Sequence, residues 1–188
     1  MLLFLTGCGQ APVEQSAMPI IQPISALPSL ALGQTEADIE NLSTDGSNTA
    51  INFAGMINGY RTEEKVNLTK WDARLYRIAE NRAFTLATHS ECLDKASENS
   101  DSISEDCDGL AHLQRQSRVE GYSYQNILET SFVAIEDFVD FEQPVQAWSA
   151  SDDHKSIFNN KQVKDIGAAV VRSGNAIIYV AVLANEEN

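Results

Sequence analysis

Apolar residues along this chain recur with two periods, one typical of helices and one typical of strands. The clearest helical stripe lies in residues 71–86, where apolar side chains recur at steps of three and four. The same spacing predicts helices over 51–60 and 110–119, and a proline suited to a first turn starts another over 144–151. Apolar side chains in 131–141 also fit one helical face.

The C-terminal part of the chain has the strand-like pattern. Residues 166–172 and 176–183 are rich in Val, Ile and Ala, and Ser173-Gly174-Asn175 supplies a turn between them. An antiparallel hairpin is therefore predicted there. Helices that flank a few antiparallel strands indicate a layered α+β fold.

The N-terminus carries the sequence L-T-G-C at positions 5–8, which matches the lipobox of bacterial lipoproteins. In that motif the signal is cut before the cysteine, which is acylated and anchors the protein to a membrane surface. We therefore expect residues 1–8 to be a truncated lipoprotein signal with Cys8 as the lipidation site. The apolar run before it is short and no Lys or Arg precedes Arg61, so we expect the true start upstream. A glycine after Cys8 resembles outer-membrane lipoproteins, which predicts an extracytoplasmic protein on the periplasmic face of the outer membrane or the cell surface.

Residues 9–45 have the composition of a flexible, acidic tether. Four of the five prolines lie here among Ser, Gln, Ala and acidic residues, and the apolar residues show no sustained period. The remaining residues, 46–188, suit one domain. The chain carries a net charge of −14, which argues against a nucleic-acid partner because that binding needs clustered Lys and Arg.

The two other cysteines, Cys92 and Cys107, are an even pair, which in an exported protein favours a disulfide. A second possibility stays open, because His89 and His112 bracket the same pair. Two Cys and two His are a ligand set of tetrahedral zinc sites. Free thiols are the third possibility.

Several short motifs follow each other in a set order. A Gly-Tyr turn and an Asn-Ile pair lie in 121–127, W-x-x-S-x-x-H covers 148–154, and Ile-Gly before a hydrophobic run covers 166–170. In this order they resemble the CAP superfamily, which holds the cysteine-rich secretory, antigen 5 and pathogenesis-related proteins and a bacterial branch. The resemblance implies the family fold, an α-β-α sandwich with a small antiparallel sheet, over residues 46–188.

The resemblance also implies a cleft that the family builds around two histidines and one or two acids. His112 and His154 match the two histidines, and they are the expected ligands if zinc or another divalent metal binds, although no cofactor is required. His89 is a rival for the first histidine. Gln125 stands where the family usually has Glu, and because Gln cannot accept a proton it disfavours acid–base catalysis and weakens metal binding.

We therefore expect a non-catalytic binding module, with a lipid, an envelope glycan or another protein bound in the cleft of His112, Gln125 and His154. The alternative is a metal-assisted hydrolase acting on envelope peptide or glycan, with Glu129 as a replacement base. A contact between Ser151 and His154 is conceivable, but no third residue is evident to orient the imidazole. The sequence has no G-x-S-x-G elbow, Walker loop or Rossmann fingerprint.

Overall fold

Five helices and five strands make up the part of the chain that the computed structural model describes, namely residues 39–43, 48–89, 92, 107–135 and 138–187. The helices bounded within these ranges are α1 Asn48–Glu63, α2 Ala73–Thr88, α3 Gly109–Glu120, α4 Glu142–Ser149 and α5 Asp152–Phe158. The strands are β1 Ile39–Asn41, β2 Lys70–Trp71, β3 Tyr124–Ile135, β4 Asp165–Ser173 and β5 Ala176–Glu186.

The strands form one sheet in the order β1-β4-β5-β3, and β2 pairs with β4 beside this path. All pairs are antiparallel except β2 with β4, which is parallel. The predicted hairpin is confirmed as β4 and β5, joined by a turn in which Gly174 has φ of 60°. A left-handed backbone of this kind favours glycine because no Cβ clashes.

Helices cover both faces of the sheet, because alternate residues of β5 enter two separate apolar clusters. One cluster joins α2 and α3 to the strand residues Ile178, Val180, Val182 and Ala184. The other joins α1, α4 and α5 to Ile177, Tyr179, Ala181 and Leu183. The predicted α-β-α sandwich is therefore confirmed.

Three local predictions differ from the structure. Trp71 lies in β2, and α2 begins two residues later, after Asp72 accepts hydrogen bonds from two backbone N–H groups of the first turn. The helix predicted over 131–141 is wrong, because β3 continues to Ile135 and pairs with β5 along its whole length. The helix predicted over 144–151 ends at Ser149, and a separate helix begins at Asp152.

The folded domain begins earlier than predicted. Residues 39–43, which the sequence analysis placed in the tether, pair with β4 and end in a buried turn at Ser43. The Ser43 hydroxyl accepts from the Val170 N–H at 2.7 Å, and the Ser43 carbonyl accepts from the Tyr76 hydroxyl at 2.7 Å. The boundary at residue 45 is therefore too late. The lipobox with Cys8 and residues 9–38 of the predicted tether lie outside the described residues.

A disulfide joins Cys92 to Cys107, with the two Cα atoms 4.8 Å apart. This confirms the favoured prediction, and it means that these sulfurs are not the free thiolates that the zinc alternative requires. The bond fixes the chain just before α3. No helix in the described part of the chain is long and apolar enough to cross a membrane.

Candidate functional site

Gln125 lies on an irregularity in the edge strand β3. The register of β3 against β5 shifts between Tyr124 and Asn126, so Gln125 is the extra residue. Its side chain is exposed, and its Oε1 accepts a hydrogen bond of 3.0 Å from Nδ2 of Asn185. Gln125 therefore presents a neutral amide that is paired with a second amide.

His154 lies on α5, on the same face of the sheet as α1 and α4. Its Nδ1 is 3.1 Å from the Ser151 hydroxyl, so the predicted Ser–His contact is present. Burial lowers the pKa of His154 below its usual value, and the nearby Asp153 offsets part of this shift. His154 is therefore a neutral imidazole at pH 7, held in orientation by a hydroxyl.

A buried arginine fixes the C-terminal end of the helix that carries His154. Arg61 of α1 is fully buried, and its guanidinium donates to the carbonyls of Phe158 and Asn160 at the end of α5. It also donates to the Asn67 carbonyl at 2.9 Å. These bonds satisfy carbonyls that a helix end leaves without intrahelical donors. The position of His154 therefore depends on α1 as well as on its own short helix.

His112 is buried inside α3, which packs with α2 on the opposite face of the sheet from α5. Its rival His89 is the C-cap residue of α2, and its Nδ1 lies 2.9 Å from the Thr88 hydroxyl. Both helices of the predicted histidine pair touch β3, so the edge of the sheet lies between them. His112 and His154 therefore belong to different helical layers.

Glu129, the predicted replacement base, is held by an ion pair. Its Oε1 accepts from Nε of Arg82 at 2.9 Å, and Arg82 Nη2 also donates to the Cys107 carbonyl at 3.1 Å. Burial raises the pKa of Glu129, and the charge of Arg82 opposes that shift. Because Arg82 belongs to α2, Glu129 faces the layer opposite to His154. This placement does not support Glu129 as a base for chemistry at His154.

The donors at the His154 end do not match a catalytic zinc site, which needs three protein ligands and an open position. They consist of one imidazole whose Nδ1 faces Ser151 and one amide bonded to Asn185. Within the described ranges, no group of three or more His, Cys, Asp or Glu side chains is arranged to hold a metal ion. These donors therefore give no support to metal-dependent chemistry at His154, and the expected metal site at His112 and His154 stays a prediction.

Asn185 is the site residue that the sequence analysis missed. The predicted strand ended at residue 183, whereas β5 continues to Glu186 and carries Asn185 to a position beside the β3 irregularity. Asn185 is nearly buried, and no hydrogen bond among the described residues reaches its Oδ1. Its position as a polar residue at the end of a long apolar run is the sequence feature that could have pointed to Asn185.

An α-β-α sandwich with this order of helices and strands is a domain of the CAP type. A family model of the cysteine-rich secretory protein family, CAP, matches residues 54–183, and the chain belongs to this family. Among curated proteins, none matches the chain.

Solved structures share the fold at low identity. A cysteine-rich secretory protein from Staphylococcus aureus is 19% identical, with a TM-score of 0.53, over 77% of this chain and 40% of its own. An outer surface protein from Borrelia burgdorferi is 16% identical, with a TM-score of 0.55, over 79% and 98%. An extracellular protein with an SCP domain from Bacillus anthracis is 17% identical, with a TM-score of 0.54, over 73% and 40%. The chain thus spans 40% of the length of the staphylococcal and Bacillus chains.

Proposed function

We propose that this protein is an extracytoplasmic, non-catalytic binding module whose ligand contacts Gln125 and His154. The observation that carries the proposal is the amide pair of Gln125 and Asn185, 3.0 Å apart, at the position of the family acid. An amide cannot accept a proton, so this pair offers hydrogen bonds without a general base.

An envelope glycan is the ligand class that this chemistry favours. Gln125 is exposed, so its N–H donors are open to a ligand, while the nearly buried Asn185 holds the Oε1 of Gln125 by a hydrogen bond. Paired donors and acceptors of this kind suit sugar hydroxyl groups. His154, whose pKa is lowered by burial, offers a further donor or acceptor on α5, a helix that contacts β3.

The proposed location is a bacterial envelope surface, with the domain tethered through an acylated Cys8. Three observations favour it: the lipobox sequence, the disulfide, and the surface or extracellular descriptions of the Borrelia and Bacillus proteins. Metabolic labelling with an alkyne fatty acid tests the anchor. Label is expected on the parent and absent from Cys8→Ser, and equal labelling of both would contradict the anchor.

Binding and catalysis are separated by one assay on dye-labelled peptidoglycan sacculi. The full chain is expected to sediment with the sacculi and to release no dye. Gln125→Ala and His154→Ala should weaken sedimentation, whereas Ser156→Ala, an exposed change on the same helix, should not. Dye release that depends on His154 would refute the non-catalytic proposal. A parallel titration with a fluorescent fatty acid would identify a lipid ligand instead.

A zinc titration by calorimetry tests the metal prediction on the full chain, beside His112→Ala combined with His154→Ala. Because the two histidines lie in different layers, we expect no one-to-one site that needs both. One-to-one binding that the double variant abolishes would restore the shared histidine cleft.

A further inference from the structure

A cavity lies between α2 and α3, on the face of the sheet opposite to α5, the helix that carries His154. Its volume is about 560 Å³, which is within the range of small-ligand sites. We name it the α2–α3 groove, and its walls come from β1, α2 and α3: Ile39, Arg77, Glu80, Asn81, Phe84, Gln116 and Glu120.

The carboxylate of Glu80 is fixed in this groove by two neutral donors. The Tyr76 hydroxyl, whose single proton is shared with the Ser43 carbonyl, lies 2.6 Å from its Oε1, and Nδ2 of Asn41 donates to the same oxygen at 2.5 Å. No Lys, Arg or His among the described residues forms an ion pair with Glu80. Within the described ranges, its Oε2 therefore remains available for a hydrogen bond, and no cationic side chain pairs with its negative charge.

The other acid of the groove is already balanced. Glu120 accepts from Nε of Arg77 at 2.5 Å, so this pair contributes little net charge. Ile39 and Phe84 are partly buried and pack on the apolar cluster below α2. The groove thus combines one fixed, uncompensated carboxylate with an aromatic and an aliphatic wall.

A carboxylate beside apolar walls favours a ligand that has a positive charge at the end of an apolar stem. A Lys or Arg side chain places its charged head against a carboxylate while its methylene groups cover apolar surface, and an aromatic ring attracts the cation further. The net charge of −14 also draws basic partners toward the protein. We propose that the α2–α3 groove binds a basic side chain of a partner peptide, with Glu80 pairing the cationic head and Phe84 packing against the stem.

This inference is independent of the glycan proposal, because Glu80 lies on α2 and His154 on α5, two helices on opposite faces of the sheet. The probe is a fluorescein-labelled peptide of alternating lysine and alanine, followed by fluorescence anisotropy on the full chain in low salt. Glu80→Gln keeps an acceptor for Tyr76 and Asn41 but removes the charge. It should weaken binding about fivefold, the equivalent of about 1 kcal/mol.

Glu63→Gln is the matched control, because it removes the same charge from an exposed residue of α1. We expect it to change the affinity less than about twofold, since only the overall field is altered. Equal losses in Glu80→Gln and Glu63→Gln, or no binding of the peptide at all, would overturn the proposal. Amide NMR provides the second readout: peptide addition should shift Asn81 and Phe84, and shifts confined to other surfaces would also refute it.

Discussion

Gly167→Ala should disrupt the contact between the sheet and α2. A Cβ built on Gly167 would lie 2.0 Å from the backbone N of Tyr76 and 2.1 Å from the carbonyl carbon of Leu75. Both neighbours are backbone atoms of the first turns of α2, which cannot rotate away as a side chain can. The Ile-Gly pair of the sequence motif therefore marks the place where a helix backbone rests directly on β4.

The size of the effect follows from that distance. Non-bonded contacts of a real Cβ essentially never fall below 3.0 Å, so helix and strand must separate by about 1 Å. Such a shift opens the apolar interface that joins α2 to β4 and β5. Overpacking of a core costs 1–3 kcal/mol and occasionally more, and we expect about 3 kcal/mol here because backbone must move.

Urea denaturation followed by circular dichroism measures this loss. Gly55→Ala is the matched control, because no atom lies within 4 Å of its added Cβ and Gly55 is in the interior of α1. That change should stabilise the protein by about 0.5–1 kcal/mol through helix propensity. If Gly167→Ala lowers the free energy of unfolding by less than about 1 kcal/mol, the close approach of α2 and β4 is refuted.

Three further predictions concern stability and are checked by urea denaturation. Glu129→Gln should cost about 3 kcal/mol because it breaks the buried ion pair with Arg82, and a loss below about 1 kcal/mol would contradict that ion pair. Reduction of the disulfide between Cys92 and Cys107 should lower the free energy of unfolding by about 3 kcal/mol. An unchanged urea midpoint after reduction would contradict this prediction. Burial alone would raise the pKa of Asp72, but hydrogen bonds from Arg74 lower it below its usual value. The charged carboxylate of Asp72 therefore stabilises the fold at pH values above its pKa in the unfolded state. This contribution is lost as the pH falls through the pKa of Asp72 in the folded state. Asp72→Asn should be less stable than the parent at pH 7 and nearly equal at pH 2, and a constant difference would refute the pairing.

Local periodicity predicted those elements whose form is set by residues close in sequence. The stripe of α2, the glycine end of α3 and the β4–β5 turn each follow from spacing within one element. The length of β3 does not, because the helical pattern of 131–141 is overridden by pairing with β5, which comes some forty residues later. Tertiary pairing of this kind has no local signal.

The candidate site was predicted in part for the same reason. Family order selected Gln125 and His154 as candidate residues, and their role in a binding site stays a prediction. The partners could not be foreseen, because Asn185 reaches Gln125 from 60 residues away and Arg82 reaches Glu129 from 47 residues away. The sequence also gave no sign that α3 and α5 lie on opposite faces of the sheet.

The short strand β1 connects the N-terminal side of the domain to the carboxylate of Glu80 in the α2–α3 groove. Asn41 is its last residue, and the amide of Asn41 is one of the two donors that hold the Glu80 carboxylate. The chain enters the described domain through the three residues of this strand, which pair only with β4. Tension applied from the N-terminal side would act on β1 first and would withdraw Asn41 from Glu80 before the core opens. Loss of this donor would leave the Glu80 carboxylate less firmly held, so the shape of the α2–α3 groove depends on the pairing of β1 with β4.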